Sequence, residues 1–215
     1  MATLAVRRYA PSTAASRKRL LEQLEATSKS VGSEITQYAI CTPWDTGDDG
    51  PILLIAAFAS MNAHDEFMAS QTVKDLVDAI KTEKLLASPP ELFRLDPIAG
   101  FAKEGLKTAS FDNALVLFAN ADMHAEAYER CMPAINAVKE YCESEEPGTL
   151  SYQICKGVEE GEKKGYVVEV YESASYFQDP HMKAAPVQEI LKQVGENADY
   201  KDFLQLKVVG GFLAR

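Results

Sequence analysis

The chain has 215 residues, of which 47% are hydrophobic and 25% charged, and its 22 basic against 32 acidic side chains give a formal net charge of −10. That is the balance of a globular protein with room for one large domain or two small ones. The acidic excess argues against sequence-independent binding to nucleic acid and against an anionic membrane surface, both of which require a basic face.

No run approaches the roughly 20 apolar residues that cross a bilayer. The opening Met1–Arg8 is too short and too soon charged for a secretory signal, so a cytoplasmic location is expected. Cys41, Cys131, Cys142 and Cys155 form no CxxC pair and are expected to be reduced, buried thiols.

In chain order, the apolar run Leu4 to Tyr9 predicts a buried strand, and a helix follows from about Thr13 to Ser30. A strand at Ile35–Thr42, a glycine-rich acidic turn over Asp45–Pro51 and a strand at Ile52–Ala59 come next. A helix with the stripe Val73, Leu76, Val77, Ile80 leads into a last strand ending at Phe101. After a polar linker at 102–113 the order repeats. It runs through a strand at Ala114–Ala119 and a helix at His124–Glu143 with Tyr128, Cys131, Ile135, Val138 and Cys142 on one face. A strand at Leu150–Lys156, a turn over Gly157–Gly165 and a strand at Tyr166–Tyr171 follow. A helix with Val187, Ile190, Leu191 and Val194 and a strand ending at Phe212 complete it.

Three anchors recur in the same order at nearly constant offset. Tyr38-Ala39-Ile40-Cys41 matches Tyr152-Gln153-Ile154-Cys155, and the two helical stripes have identical spacing. Leu95, Ile98, Gly100 and Phe101 match Leu206, Val209, Gly211 and Phe212. Two copies of one βαββαβ unit explain this, with an N-terminal half at 1–101 and a C-terminal half at 114–215. The order is that of the split-βαβ, ferredoxin-like unit, an α+β fold with helices on one face of an antiparallel sheet. The open faces of two such sheets are expected to pack against each other.

The C-terminal copy resembles the antibiotic biosynthesis monooxygenase (ABM) domain of the dimeric α/β-barrel superfamily. The resemblance is carried by Glu146-Pro147-Gly148-Thr149-Leu150-Ser151-Tyr152, Glu169-Val170-Tyr171 and His181-Met182-Lys183-Ala184-Ala185-Pro186-Val187. It spans most of 114–215. The N-terminal copy departs from the pattern, with Phe67 at the place of His181, His64 one helical turn earlier, and Ala57-Phe58-Ala59 lacking the acidic residue. The resemblance implies that the tandem chain builds an intramolecular version of the dimeric barrel, either as a monomeric pseudo-dimer or with further pairing to a homodimer. It also implies cofactor-independent oxygenation of an aromatic polyketide, a phenol or a lipid-derived acid, with molecular oxygen as co-substrate. Polyketide cyclase or lyase chemistry, or binding without turnover, are the alternatives on such a fold.

His181, after Asp179-Pro180, is the candidate general base, because imidazole titrates near neutrality. Asn120 and Tyr171 are candidates for holding substrate or oxygen atoms by hydrogen bonds. Glu169, two residues before Tyr171 and therefore on the same strand face, and Tyr152 on the neighbouring strand are candidate substrate contacts. So is Trp44, the single tryptophan. Glycine-rich phosphate loops, HExxH and GxSxG are all absent, and three scattered histidines give no metal-ligand spacing. No cofactor and no metal are expected, so the substrate must supply the electrons.

Overall fold

The computed structural model describes residues 3–45, 50–159 and 163–215. The centres of the two expected polar turns, residues 46–49 and 160–162, lie outside the described residues, as do residues 1–2. Contacts divide the chain into two compact units, Met1–Arg94 with Lys207–Arg215, and Leu95–Leu206.

The first unit contains β1 (Thr3–Tyr9), α1 (Ala14–Ser28), β2 (Ile35–Pro43), β3 (Ile52–Phe58), α2 (Met61–Ala69) and α3 (Gln71–Thr82). Its helices start where side-chain oxygens satisfy free backbone amides: Thr13 caps α1 through the Ser16 N–H, Ser60 caps α2 through Ala63, and Ser70 caps α3 through Val73. β3 is flanked by β1 and β2, both antiparallel to it. Tyr9, Leu20, Leu24, Tyr38, Ile52 and Phe58 form the core between sheet and helices. Leu76 of the predicted stripe is buried there, and Ile80 packs against the cluster.

The second unit repeats the order with β5 (Leu115–Met123), α4 (Ala127–Ser144), β6 (Thr149–Gly157), β7 (Lys164–Tyr171), α5 (Ala174–Gln178) and α6 (Ala185–Asn197). β7 pairs antiparallel with β5 and β6. The helical face read from the sequence is the buried one: Cys131, Ile135, Val138 and Cys142 of α4 meet Val187 and Ile190 of α6 over Tyr152 and Ile154. All four cysteines are free and buried. The segment 102–113 is more than a solvated link, because a 3-10 turn at Glu104–Thr108 buries Leu106.

The last strand of each repeat, β4 (Glu91–Ala102) and β8 (Ala198–Phe212), is longer than the others, at 12 and 15 residues. The expected barrel forms as one continuous sheet rather than as two separate ones: β4 neighbours both β1 and β6, β8 neighbours both β2 and β5, and the antiparallel strand order β1-β3-β2-β8-β5-β7-β6-β4 is closed. The fold is the α+β barrel of two ferredoxin-like repeats. No helix among the described residues is long and apolar enough to cross a membrane.

Two of the three repeated anchors have one physical cause. Gly100 has φ +155°, and a Cβ there would stand 2.3 Å from the Tyr152 carbonyl oxygen. Gly211 has φ +81°, and a Cβ there would stand 1.9 Å from the Tyr38 carbonyl oxygen. In both places a side chain is excluded by backbone, so glycine and its facing tyrosine recur together. Gly211→Ala should therefore cost more than about 2 kcal/mol, lowering Tm by at least about 4 °C. Gly195, inside α6 with nothing within 4 Å of a built Cβ, is the control: Gly195→Ala should raise Tm, by about 1 kcal/mol of helix propensity. Thermal melts of the two variants check both, and an unchanged Tm for Gly211→Ala would refute the close-approach argument.

Candidate active site

Strand alternation places Glu169 and Tyr171 on the same face of β7, and Tyr152 lies directly across from Glu169 on β6. The Tyr171 hydroxyl donates to Glu169 Oε2 at 2.6 Å and lies 2.8 Å from His181 Nε2. On its other side, His181 Nδ1 is 2.8 Å from Glu146 Oε2. The same oxygen accepts from the Thr149 hydroxyl at 2.5 Å. Glu146, His181, Tyr171 and Glu169 thus form one hydrogen-bonded chain, and each is less than 5% exposed.

Glu146 sits in the turn between α4 and β6, where Gly148 lets the Tyr176 ring approach to 2.5 Å of the place a Cβ would take. The Lys103 ammonium donates to the carbonyls of Cys142 and Glu146 and fixes the end of α4. His181 lies in a 3-10 turn at His181–Lys183, ahead of α6 rather than at its first residue. Its ring is held between Tyr171, at 4.8 Å between centroids, and Phe177, stacked at 5.9 Å.

The two carboxylates are pushed in opposite directions. Burial dominates at Glu169 and raises it above the ordinary 4.5, outweighing the hydrogen bonds from Tyr171 and Tyr152. Burial acts on Glu146 in the same sense, but hydrogen bonds from His181 and Thr149 outweigh it and hold Glu146 below 4.5. The phenols of Tyr152 and Tyr171 are raised well above 10.0 by burial and by the Glu169 charge, so both remain donors.

Proton counting gives the chain two forms with the same total. In one, Glu169 is a carboxylate, Tyr171 donates to it, and an imidazolium donates both to Tyr171 and to Glu146. In the other, Glu169 is protonated and donates to Tyr171, Tyr171 donates to Nε2, and a neutral imidazole donates Nδ1–H to Glu146. One concerted shift through the Tyr171 hydroxyl interconverts them. The first form presents a base at Glu169, the second an acid.

Glu169, His181 and Tyr152 line a cavity of about 100 Å³, whose other walls include Leu117, Cys131, Ile135, Phe177, Val187 and Ile190. An apolar cavity with a few convergent polar groups is the form of a small-molecule site. Asn120 contributes to the wall, but register parity sends its side chain away: Leu117 faces Glu169, and Asn120 is three residues on, across the sheet. Its amide donates to Asp202 at 2.6 Å. The expected grouping of Asn120 with His181 and Tyr171 is therefore not made. Trp44, at the end of β2, is 39% exposed and lines none of this cavity. Glu146, which ends the chain of hydrogen bonds, was not singled out in the sequence. Its one signal there was its place at the head of the motif that runs to Tyr152.

Cys142 Sγ, a Glu146 oxygen and a His181 nitrogen lie within 4.8 Å of one another, a donor set of the kind that binds a soft divalent cation. Against a cation there, the Lys103 ammonium stands beside the same two residues, and burial raises the Cys142 thiol and keeps it protonated.

Register pairs also align the two units. Ile35, Ala56 and Phe58 of the first stand where the second has Thr149, Glu169 and Tyr171, while Tyr38 matches Tyr152. His64 packs edge-on against Phe58 at 5.0 Å, as His181 does against Tyr171, and its buried Nε2 has no partner among the described residues. His64, rather than the expected Phe67, is therefore the residue that packs as His181 does, although Phe67 also touches Phe58.

Comparison of the sequence with protein-family models and with curated proteins returns no match. Solved structures do match over the whole chain. A candidate monooxygenase of Fusobacterium nucleatum superposes with a TM-score of 0.81 at 18% identity, covering 100% of this chain and 97% of its own. An anthrone oxidase-like protein gives 0.68 at 11%, covering 97% and 91%. A ferredoxin-fold protein of Listeria monocytogenes related to antibiotic biosynthesis monooxygenases gives 0.57 at 14%, covering 97% and 96%. The fold is that of ABM-related proteins. The tandem arrangement read from the sequence is thus a known whole-chain architecture, and identities this low speak to fold alone.

The hydrogen-bonded chain makes a stability prediction. Because Glu169 is raised, its protonated form favours the folded state. That contribution is complete below 4.5 and is lost as pH rises through the raised value. Glu169→Gln, which imitates the protonated form, should flatten the fall in Tm between mildly acidic and neutral pH. Glu146→Ala should instead cost on the order of 3 kcal/mol, because it leaves His181 buried without its partner. Melts across that pH range check both, and identical pH profiles for wild type and Glu169→Gln would exclude the raised carboxyl.

Proposed function

We propose that the second unit is a cofactor-independent oxygenase site for a small apolar phenol or enol, with Glu169 as the catalytic base. The observation that carries this reading is the position of Glu169 at the cavity end of the Glu146–His181–Tyr171–Glu169 chain. His181, the base expected from the sequence, has both nitrogens engaged, so it acts on Glu169 through Tyr171. A raised carboxyl is matched to a weakly acidic O–H or C–H better than an ordinary one. The monooxygenase-type fold supports the same reading, and the anthrone oxidase-like neighbour carries the name of such chemistry.

In this reaction Glu169 takes the hydroxyl proton and leaves an electron-rich anion in a site from which apolar walls exclude water. The anion reduces oxygen directly. Overall, a phenol and O₂ give a quinone and water: one oxygen atom enters the ring carbon, and the other leaves with the hydroxyl hydrogen and the ring hydrogen. The substrate supplies all the electrons, so the protein has only to bind, deprotonate and shield. A second reading rests on the same chain, since nothing in it is particular to oxygen: proton transfer alone would serve a cyclase or lyase.

Oxygen uptake with a panel of phenols and hydroquinones tests the proposal. Wild type should consume oxygen and release quinone, Glu169→Gln should lose about 100-fold or more, and Glu146→Gln should shift the pH profile with a smaller loss. Substrate turnover without oxygen uptake would move the assignment to the proton-transfer reading. Full activity in Glu169→Gln would overturn the base.

A further inference from the structure

Four tyrosines line the cavity: Tyr128, Tyr152, Tyr166 and Tyr200. Three are engaged within the second unit. Tyr128 donates to the Lys164 carbonyl at 2.6 Å. Tyr152 lies directly across from Glu169 and stacks on Phe101. Tyr166 stacks on Phe118. Tyr200, near the start of β8, has no hydrogen-bond partner among the described residues. It is 46% exposed and also a cavity wall, which places it at the rim; Phe203, 45% exposed, is a wall as well. Phe203 reaches inward to Phe177, at 6.4 Å between centroids. The rim thus carries two aromatic residues, of which Tyr200 brings a hydroxyl.

Size sets the second constraint. A cavity of about 150 Å³ holds benzene, and this one measures about 100 Å³. A single ring needs only small adjustments of the rim, whereas three fused rings need Tyr200 or Phe203 to leave it.

Resting on the reading of Glu169 as the base, we propose that Tyr200 is a substrate-binding residue and that the site takes a single-ring phenol. The ligand lies with its ionisable hydroxyl toward Glu169 and a second oxygen accepting from the Tyr200 hydroxyl, and Phe203 sets the size limit. Once the ligand is deprotonated, charge spreads onto that second oxygen, and Tyr200 is a neutral donor available to it at the rim of a largely apolar cavity. Burial raises the Tyr200 phenol and the neighbouring Glu169 raises it further, so its hydroxyl stays protonated and able to donate.

The test measures binding rather than turnover. The intact protein is titrated with 4-nitrophenol, whose absorbance reports both binding and ionisation, and separately with a three-ring phenol. Wild type should bind the nitrophenol and exclude the three-ring compound. Tyr200→Phe should bind the nitrophenol about three- to tenfold more weakly, the loss of one hydrogen bond, with an unchanged Tm because that hydroxyl has no protein partner. Phe203→Ala should admit the three-ring compound. Equal nitrophenol affinity in wild type and Tyr200→Phe, or wild-type binding of three rings as tight as one, would overturn the proposal. Tyr200-dependent binding without oxygen uptake would leave it standing and remove only the oxygenase reading.

Discussion

Two carboxylates buried within one packed layer are the costliest feature of this molecule, and much of the second unit is arranged around them. An isolated buried carboxylate is penalised by several kcal/mol, and two that repel each other by more. Glu146 and Glu169 are both nearly inaccessible, and one histidine and one tyrosine bridge them. Every element around the site supplies a link or holds one. The two-residue period of β7 gives Glu169 and Tyr171 a common face, the end of α4 delivers Glu146, Lys103 fixes that end, and the 3-10 turn before α6 brings in His181. Removing any link leaves a buried charge or an unsatisfied nitrogen, so packing and function constrain the same residues.

The first unit displays the same scaffold without that cost. With Ile35, Ala56 and Phe58 at the register positions of Thr149, Glu169 and Tyr171, its layer closes as an apolar core around Tyr9, Leu20, Leu24 and Tyr38. His64 keeps its edge contact with Phe58, but a phenyl ring offers Nε2 no hydrogen bond, and the imidazole is anchored through Asp65 instead. Loss of the carboxylate makes the bridging hydroxyl dispensable. The difference between the units therefore extends from Glu169 to its partners and is not confined to single positions.

The repeat and the element order were legible in the sequence because they depend on local rules. A glycine excluded from carrying a Cβ by a facing tyrosine carbonyl appears as a matched pair at fixed spacing, and a helix that packs on a sheet appears as a stripe. Features that depend on pairing were not legible. β4 and β8 are the strands that pair with one strand of each repeat, β4 with β1 and β6 and β8 with β2 and β5, and no single-strand pattern encodes that. The face of Asn120 is a matter of parity relative to Glu169, fixed only when β5 is registered against β7. Glu146 and His181 are 35 residues apart, and their contact exists only in the packed fold. Glu169, Tyr171 and Tyr152 were accessible as a group because their proximity needs only alternation along one strand and adjacency of the next.

Histidine drew attention in the sequence because free imidazole titrates near neutrality, yet inside this network both nitrogens of His181 are engaged. An imidazole with a carboxylate on Nδ1 and a phenol on Nε2 has no lone pair left to meet a substrate, whatever its protonation state. What it does instead is decide where the common proton rests. Glu146 is held low by its hydrogen bonds while burial raises Glu169, so the two ends of the chain are pushed in opposite directions through one hydroxyl. On the proposed reading, a proton arriving at Glu169 from a ligand passes into this chain through the Tyr171 hydroxyl, and His181, which lines the same cavity but has both nitrogens engaged, acts on that glutamate rather than on the ligand.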